Sequence, residues 1–228
     1  LLNFDKILED TSKIPGWSSQ ETRKILMDLA TNSFSRGFKL VVEVGTWEGR
    51  TAIPIALCAK EHSAQLICVD PYLGFEMDAP LDAGDGYPGD GFVAKLPRHR
   101  FIDRLQTFGV YSTVDLRPSP SNEVAYSLAE NPKLPPISLV YIDGAHENGD
   151  CFRDLCIWAN LVSPEGYLVV HDAHTHALPI SKDVKLWFDR QTDWYNDVDR
   201  GRNIQLLGGE NWWKELYVFK KGGVNVWP

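Results

Sequence analysis

The chain has 228 residues, enough to bury the core of one α/β domain. Its 23 basic and 31 acidic side chains leave a net charge of −8, which argues against nucleic acid or an anionic membrane as partner and favours a small or uncharged substrate. No apolar run reaches the roughly 18–20 residues of a bilayer span; a basic n-region with an apolar h-region is also missing, but the chain starts at Leu1 and not at a methionine, so this says little about targeting.

Ser18-Ser19-Gln20-Glu21 has the form of a capping box, and Ile25, Leu26, Leu29, Ala30 and Phe34 recur at helical spacing behind it. A first helix is predicted there, and residues 1–37 read as a helical cap. Residues 40–44, apolar but for Glu43, run into Gly45 in the form of a buried strand. Residues 51–60 read as the helix behind that turn, with Pro54 tolerated in its first turn. Further strands are predicted at 66–70, 113–116, 137–143 and 166–172, and a helix over 181–190. Two strand-like runs, 203–207 and 215–220, flank Gly208-Gly209 and close as an antiparallel pair. Strands alternating with helices imply one Rossmann-like α/β domain over 1–228, with a mostly parallel sheet and helices on both faces. Residues 71–91, rich in Gly, Asp and Pro directly after a strand, are the place for a mobile lid loop over a ligand. Cys58, Cys68, Cys151 and Cys156 form no C-x-x-C pair and lie in apolar segments, so reduced thiols and a cytoplasmic location are the simplest reading.

Three motifs carry chemistry. The first is Glu43-Val44-Gly45-Thr46-Trp47-Glu48-Gly49-Arg50-Thr51, where glycine lets the chain turn tightly and a ligand approach, and the next helix offers unpaired N–H donors. A dinucleotide pyrophosphate wants G-x-G-x-x-G, whereas this stretch is E-x-G-x-x-x-G; its carboxylate would repel phosphate but suits the amino group of a sulfonium amino acid. The plainer reading is a strand-to-helix turn with glycines. The second motif is Asp70-Pro71-Tyr72, about 20 residues further on, where a carboxylate can accept both hydroxyls of an adenosine ribose. NAD enzymes share that feature, and an ordinary turn aspartate is the alternative. Tyr72 would pack on the adenine or simply in the core.

The third motif is a pair of strand ends, Asp143-Gly144-Ala145-His146 and His171-Asp172. In an open α/β sheet both face the ligand crevice, so Asp143, His146, His171 and Asp172 can converge. Carboxylates and imidazoles make an N/O site for a divalent metal that would hold a substrate hydroxyl and lower its pKa. His146 would then take the proton, since an imidazole of pKa near 6.5 is mostly neutral at pH 7; a phenol has a pKa near 10 and a sugar hydroxyl a higher one, a gap that the metal or the base must close. Turn-capping aspartates and histidines that satisfy backbone groups are the competing reading.

With these residues the chain resembles the class I S-adenosylmethionine (SAM)-dependent methyltransferases, in particular the macrolide-sugar and rhamnosyl O-methyltransferases. The likeness takes in Pro15-Gly16-Trp17-Ser18, the Glu43 to Gly49 turn, Val69-Asp70, Ser119-Pro120-Ser121, Asp143-Gly144-Ala145-His146, Ser163-Pro164-Glu165-Gly166 and His171-Asp172. It implies a seven-stranded sheet in the order 3-2-1-4-5-7-6. It also implies SAM held by Glu43, Gly45 and Thr46 at the methionine end, by Asp70 at the ribose, and by the Arg117 to Ser121 turn at the adenine edge, with Trp47, Gly49, Thr51, Pro71, Tyr72, Ser119 and Asp143 completing the site. The D-x-x-H segment maps a metal-binding Asp143 and a catalytic His146, with Mg²⁺ or Mn²⁺ as candidate metal. Where those enzymes carry an acidic pair after the fifth strand, this chain has His171-Asp172, a departure that bears on the metal.

The expected activity is methyl transfer from SAM to a hydroxyl of a sugar or small metabolite, with Asp143 and His146 catalytic and Asp143, His171 and Asp172 as metal ligands. Competing readings are an NAD(P)-dependent oxidoreductase, which would need a dinucleotide glycine pattern, and a SAM-binding domain without turnover. A metallohydrolase built on His171, Asp172, His174 and His176 would leave Gly45 and Asp70 unexplained. Asp78, Asp82, Asp85 and Asp90 lack calcium-ligand spacing, and Tyr217 and Lys221 fall on a strand, where a Y-x-x-x-K pair does not converge. Trp212, Trp213 and Trp227 suit core filling, a substrate wall or a homodimer contact.

Overall fold

A run of five or six apolar residues has no face to leave in water, so it is buried best as an inner strand of a parallel sheet covered on both sides. In the computed structural model Leu40–Val44 (β1), apolar but for Glu43, and Ile137–Ile142 (β4), apolar but for Ser138, are such strands, buried at every position. The structure describes residues 2–72, 97–145, 149–172, 180–190, 194–195 and 216–221, of which 181, 188, 194 and 195 by backbone only. Around β1 and β4 come α1 (Phe4–Ser12), α2 (Gln20–Ser35), α3 (Ala52–Glu61), β2 (Gln65–Val69), α4 (Pro97–Thr107), β3 (Val114–Arg117), α5 (Ser121–Ala129), α6 (Asp150–Leu161), β5 (Val162–His171), α7 (Ile180–Phe188), β6 (Trp194–Tyr195) and β7 (Leu216–Lys221).

One sheet runs β3-β2-β1-β4-β5-β7-β6. Strands β1 to β5 pair in parallel, while β7 is antiparallel to β5 and to β6. The mostly parallel α/β sheet with an antiparallel close therefore follows the sequence pattern. Strand β6 is two residues long, so the edge beyond β7 is slight. Residues 203–207, predicted as the partner of 215–220, lie outside the described residues. So do His146, most of the predicted lid (73–91), His174, His176, Trp212, Trp213 and Trp227.

Alternate residues of each strand face opposite layers. Val41, Leu66, Cys68, Leu139, Tyr141 and Val169 pack with α1 to α4, and Val42, Val44, Val69, Val140, Ile142 and Val170 pack with α5 to α7. Helix α2 is capped by Ser19, whose hydroxyl accepts the Thr22 N–H at 3.1 Å, one residue later than the capping box spacing suggests. Helices α1, α4, α5 and α6 were given no bounds of their own by the sequence reading, although α1 lies within the predicted helical cap. Helix α1 has Asn3 as its cap and buries Ile7, Leu8 and Thr11. Helix α4 buries only Pro97, Phe101 and Leu105 in an otherwise polar stretch, too little to signal a period. No helix among the described residues is long and apolar enough to cross a membrane.

Candidate active site

The site is assembled by strand register. β1 pairs with β2 as far as Val44 beside Val69, with β4 as far as Val44 beside Ile142, and β4 pairs with β5 as far as Ile142 beside Val170. The next residue of each strand, Gly45, Asp70, Asp143 and His171, is thereby brought to one edge. Hydrogen bonds hold the row: Gly45 N–H to Val69 O and Asp143 N–H to Val44 O, both 2.8 Å, and Asp70 N–H to Arg117 O, 3.2 Å. Gly45 has φ +88°, and a Cβ there would lie 2.0 Å from the Asp143 carbonyl oxygen, so the turn admits no side chain.

A cavity of about 560 Å³, in the range of small-molecule sites, opens over this edge. Of the residues expected to hold a cofactor, Gly45, Trp47, Asp70, Pro71 and Asp143 are on its wall. Asp70 is fixed by two backbone donors, Trp47 N–H to Oδ2 at 2.7 Å and Tyr72 N–H to Oδ1 at 2.8 Å. Burial raises its carboxyl above the usual carboxylate range, and those N–H bonds work against the rise. Trp47 and Tyr72 both sit in the left-handed region, at φ +48° and +53°, which costs each on the order of 1 kcal/mol and concentrates strain at the cavity.

Glu43, Thr46, Gly49, Thr51, Tyr72 and Ser119 do not line the cavity. Glu43 is two residues before Gly45 and faces the α1–α4 layer, beside its register neighbours Cys68 and Tyr141. Its buried carboxyl accepts the Thr51 hydroxyl and lies 3.9 Å from Cys68 Sγ. Burial, reinforced by the charges of Asp143 and Asp70, pushes it well above the usual range. Glu43 is thus held beneath the turn, where it was expected to meet the methionine end directly. Thr46 is buried. Gly49, at φ +85°, leaves room for the Phe101 ring, 2.3 Å from where a Cβ would stand. Tyr72 donates its hydroxyl to Trp47 O at 3.2 Å, and Ser119 N–H closes a turn onto Arg117 O at 2.9 Å.

Several wall residues were given no role by the sequence reading. Trp17 is 70% exposed yet lines the cavity, its ring centroid 5.8 Å from that of Trp47. Its backbone is clamped from both sides, since Arg50 donates to Gly16 O at 2.7 Å and Arg23 to Ser18 O at 3.1 Å. Asp150, Arg153 and Asp154 reach the wall from α6. Their spacing of three and four residues on a helix that follows Asp143 was the available signal. Glu48, fully buried inside the glycine turn, is bound by Arg100 and Arg104 of α4, each at 2.5 Å.

Asp143, His171 and Asp172 come together, each offering a ligand atom within 4.8 Å of the others. His171 Nδ1 lies 2.9 Å from Asp143 Oδ1 and 3.3 Å from Asp172 Oδ2, and the Tyr141 hydroxyl donates to Asp143 Oδ2 at 3.0 Å. One nitrogen and two carboxylates fit a divalent cation, for which His171 Nδ1 would exchange its carboxylate contacts. An adenosyl group fits equally, through a turn that excludes even a Cβ and a carboxylate at the end of β2.

Residues 42–173 match the family described as "Methyltransferase domain". The fold is similar to that of TomG from Streptomyces achromogenes, an O-methyltransferase involved in tomaymycin synthesis solved in complex with SAM, with TM-score 0.63 and 15% identity over 96% of this chain and 89% of that one. The SAH-bound methyltransferase PaMTH1 of Podospora anserina gives TM-score 0.60 and 12% identity over 96% and 87% of the two chains. The O-methyltransferase NovP gives TM-score 0.59 and 16% identity over 90% and 81%. At such identities the likeness to these structures is one of fold, whereas the family match spans more than half of the 228 residues. The chain belongs to the methyltransferase-domain family.

Proposed function

We propose that this chain is a SAM-dependent O-methyltransferase acting on a hydroxyl of a sugar or another small metabolite. The reading rests above all on Asp70, a wall carboxylate at the end of β2 that two backbone N–H groups orient while lone pairs remain to accept a ribose diol. Family membership supports it, as do neighbours whose names state O-methyl transfer and bound SAM or SAH.

When bound, SAM supplies a methyl already activated by its sulfonium, so the protein's work is to bind, orient and manage a proton. Gly45 and Trp47 form the cradle, Asp70 takes the ribose, and Pro120 and Ser121 border the base. Asp143, at the junction of cavity and triad, orients the acceptor hydroxyl. His146, three residues further along, takes its proton as the methyl is transferred, being mostly neutral at pH 7 and so able to accept it as the oxygen becomes acidic. Asp143, His171 and Asp172 would hold Mg²⁺ or Mn²⁺, a cation that lowers the hydroxyl pKa. Asp70, Asp143, Asp150 and Asp154 against Arg153 make the wall acidic, which disfavours anionic acceptors; the net charge of −8 disfavours nucleic acid and anionic membranes as partners. A cytoplasmic location belongs to the same proposal and rests on the sequence alone, in which Cys58, Cys68, Cys151 and Cys156 form no C-x-x-C pair.

The test is calorimetric titration with S-adenosylhomocysteine (SAH), with and without Mg²⁺ or Mn²⁺. Micromolar binding is expected, and loss of a charge-assisted hydrogen bond in Asp70→Ala should weaken it by about 10- to 100-fold. Absence of binding in every condition would overturn the reading. Binding without turnover on any glycoside or phenol would leave a SAM-binding domain in place of an enzyme. Turnover that responds to the cation, with the response lost in Asp172→Ala, would support a metal at the triad.

A further inference from the structure

Asp154, on the face of α6 turned to the cavity, is used by none of the steps above. It is 9% exposed and one of its oxygens is pinned. Trp158 Nε1 donates to Ser121 Oγ at 2.7 Å, and Ser121 Oγ donates to Asp154 Oδ1 at 2.7 Å. The hydroxyl has a single proton, and with the indole N–H on its acceptor side that proton goes to the carboxylate. The neighbouring guanidinium of Arg153 is turned to Asp150 Oδ1, at 2.8 Å. Asp154 Oδ2 receives no hydrogen bond from the described residues and lies 3.6 Å from where a Cβ on Gly144 would stand, at the end of β4. The result is an aimed acceptor on the cavity wall, with no proton of its own to give while ionised. Burial raises its pKa to about 6, so it is charged at neutral pH at an energetic cost that a ligand N–H would offset.

Ser121 opens α5 directly after β3, the strand beside β2, and β2 ends on Asp70. A base attached to a ribose held on Asp70 extends toward the start of α5 and the Ser121–Asp154 pair. We propose that Asp154, positioned by Ser121 and Trp158, is a specificity-determining residue that accepts an N–H from the exocyclic 6-amino group of the cofactor's adenine. This assignment rests on the cofactor reading above. An acceptor-only group at that place selects a purine with a donor at position 6 over one without it.

The test is a cycle of two ligands, SAH and its analogue with hydrogen in place of the 6-amino group, titrated at neutral pH against the wild type, Asp154→Ala and Ser121→Ala. The wild type should bind SAH about tenfold or more tighter than the analogue, as expected for a charge-assisted hydrogen bond. Asp154→Ala should bring the two affinities to within about threefold, and Ser121→Ala, which frees the carboxylate to turn, should give a ratio in between. Should Asp154→Ala not fold, Asp154→Asn, of the same shape but uncharged, should also show a reduced ratio. Equal affinities in the wild type, or an unchanged ratio in the Asp154 variants, would overturn this assignment alone. Failure of the wild type to bind SAH would overturn the cofactor reading and this assignment with it.

Discussion

Single side chains here do their work through burial and the company they keep. Asp154 illustrates both, because its carboxyl is raised from the ordinary 3.8 to about 6, first by burial and against the pull of the Ser121 hydroxyl and of Arg153. Between those two pH values the folded protein holds a proton that the unfolded chain has released. The stability this provides is complete below pH 3.8 and is lost as the pH rises through about 6. Asp154→Asn should therefore melt higher than the wild type at neutral pH, by at most roughly 3 kcal/mol or about 6–12 °C, and the gain should shrink toward pH 4 in a calorimetric series. Equal melting temperatures across that range would show the carboxyl to be well solvated. At this scale the sequence was legible where a residue's role is local. Gly45 needs a positive φ at the end of a strand whatever surrounds it, and Asp70 sits at a strand end in any alternating α/β chain. The place of Glu43 beneath the turn was not read, because it depends on which helical layer the odd-numbered side chains of β1 face.

At the scale of elements, the glycine turn is locked to α4 by a charge cluster. Glu48 is fully buried between Arg100 and Arg104, which are themselves about one-fifth exposed. Removing one partner of a buried pair leaves the others uncompensated, at a cost of about 3–5 kcal/mol. Glu48→Gln should lower the melting temperature by roughly 10 °C and weaken SAH binding as well, since Trp47 and Gly49 flank it. A melting temperature within error of the wild type would mean that solvent already screens the cluster. The sequence carried no sign of this contact, because Glu48 and Arg104 are 56 residues apart and α4 is polar enough to read as loop. The N-terminal segment is similar: Arg50 reaches Ile14 O at 3.2 Å and Gly16 O at 2.7 Å, which fixes Trp17 at the cavity.

At the scale of the whole molecule, a ligand seated across the ends of β1, β2 and β4 touches segments that only the folded chain brings together, so its binding energy adds to folding stability. SAH at about 100 times its dissociation constant should raise stability by about 2.7 kcal/mol, or roughly 5–10 °C in melting temperature. Thermal shift at increasing SAH concentration checks this, and a flat response would tell against the cavity as the SAH site.

The strand-and-helix alternation, the glycine turn and the acidic strand ends could be read from the sequence because each is dictated within a few residues, by apolar period, by φ preference or by position after a strand. The seating of Asp154 against Ser121, of Glu48 between two arginines and of Trp17 over the cavity was decided only by the tertiary structure. Each joins residues more than 25 positions apart, and such contacts follow from register and helix packing, which no local pattern specifies.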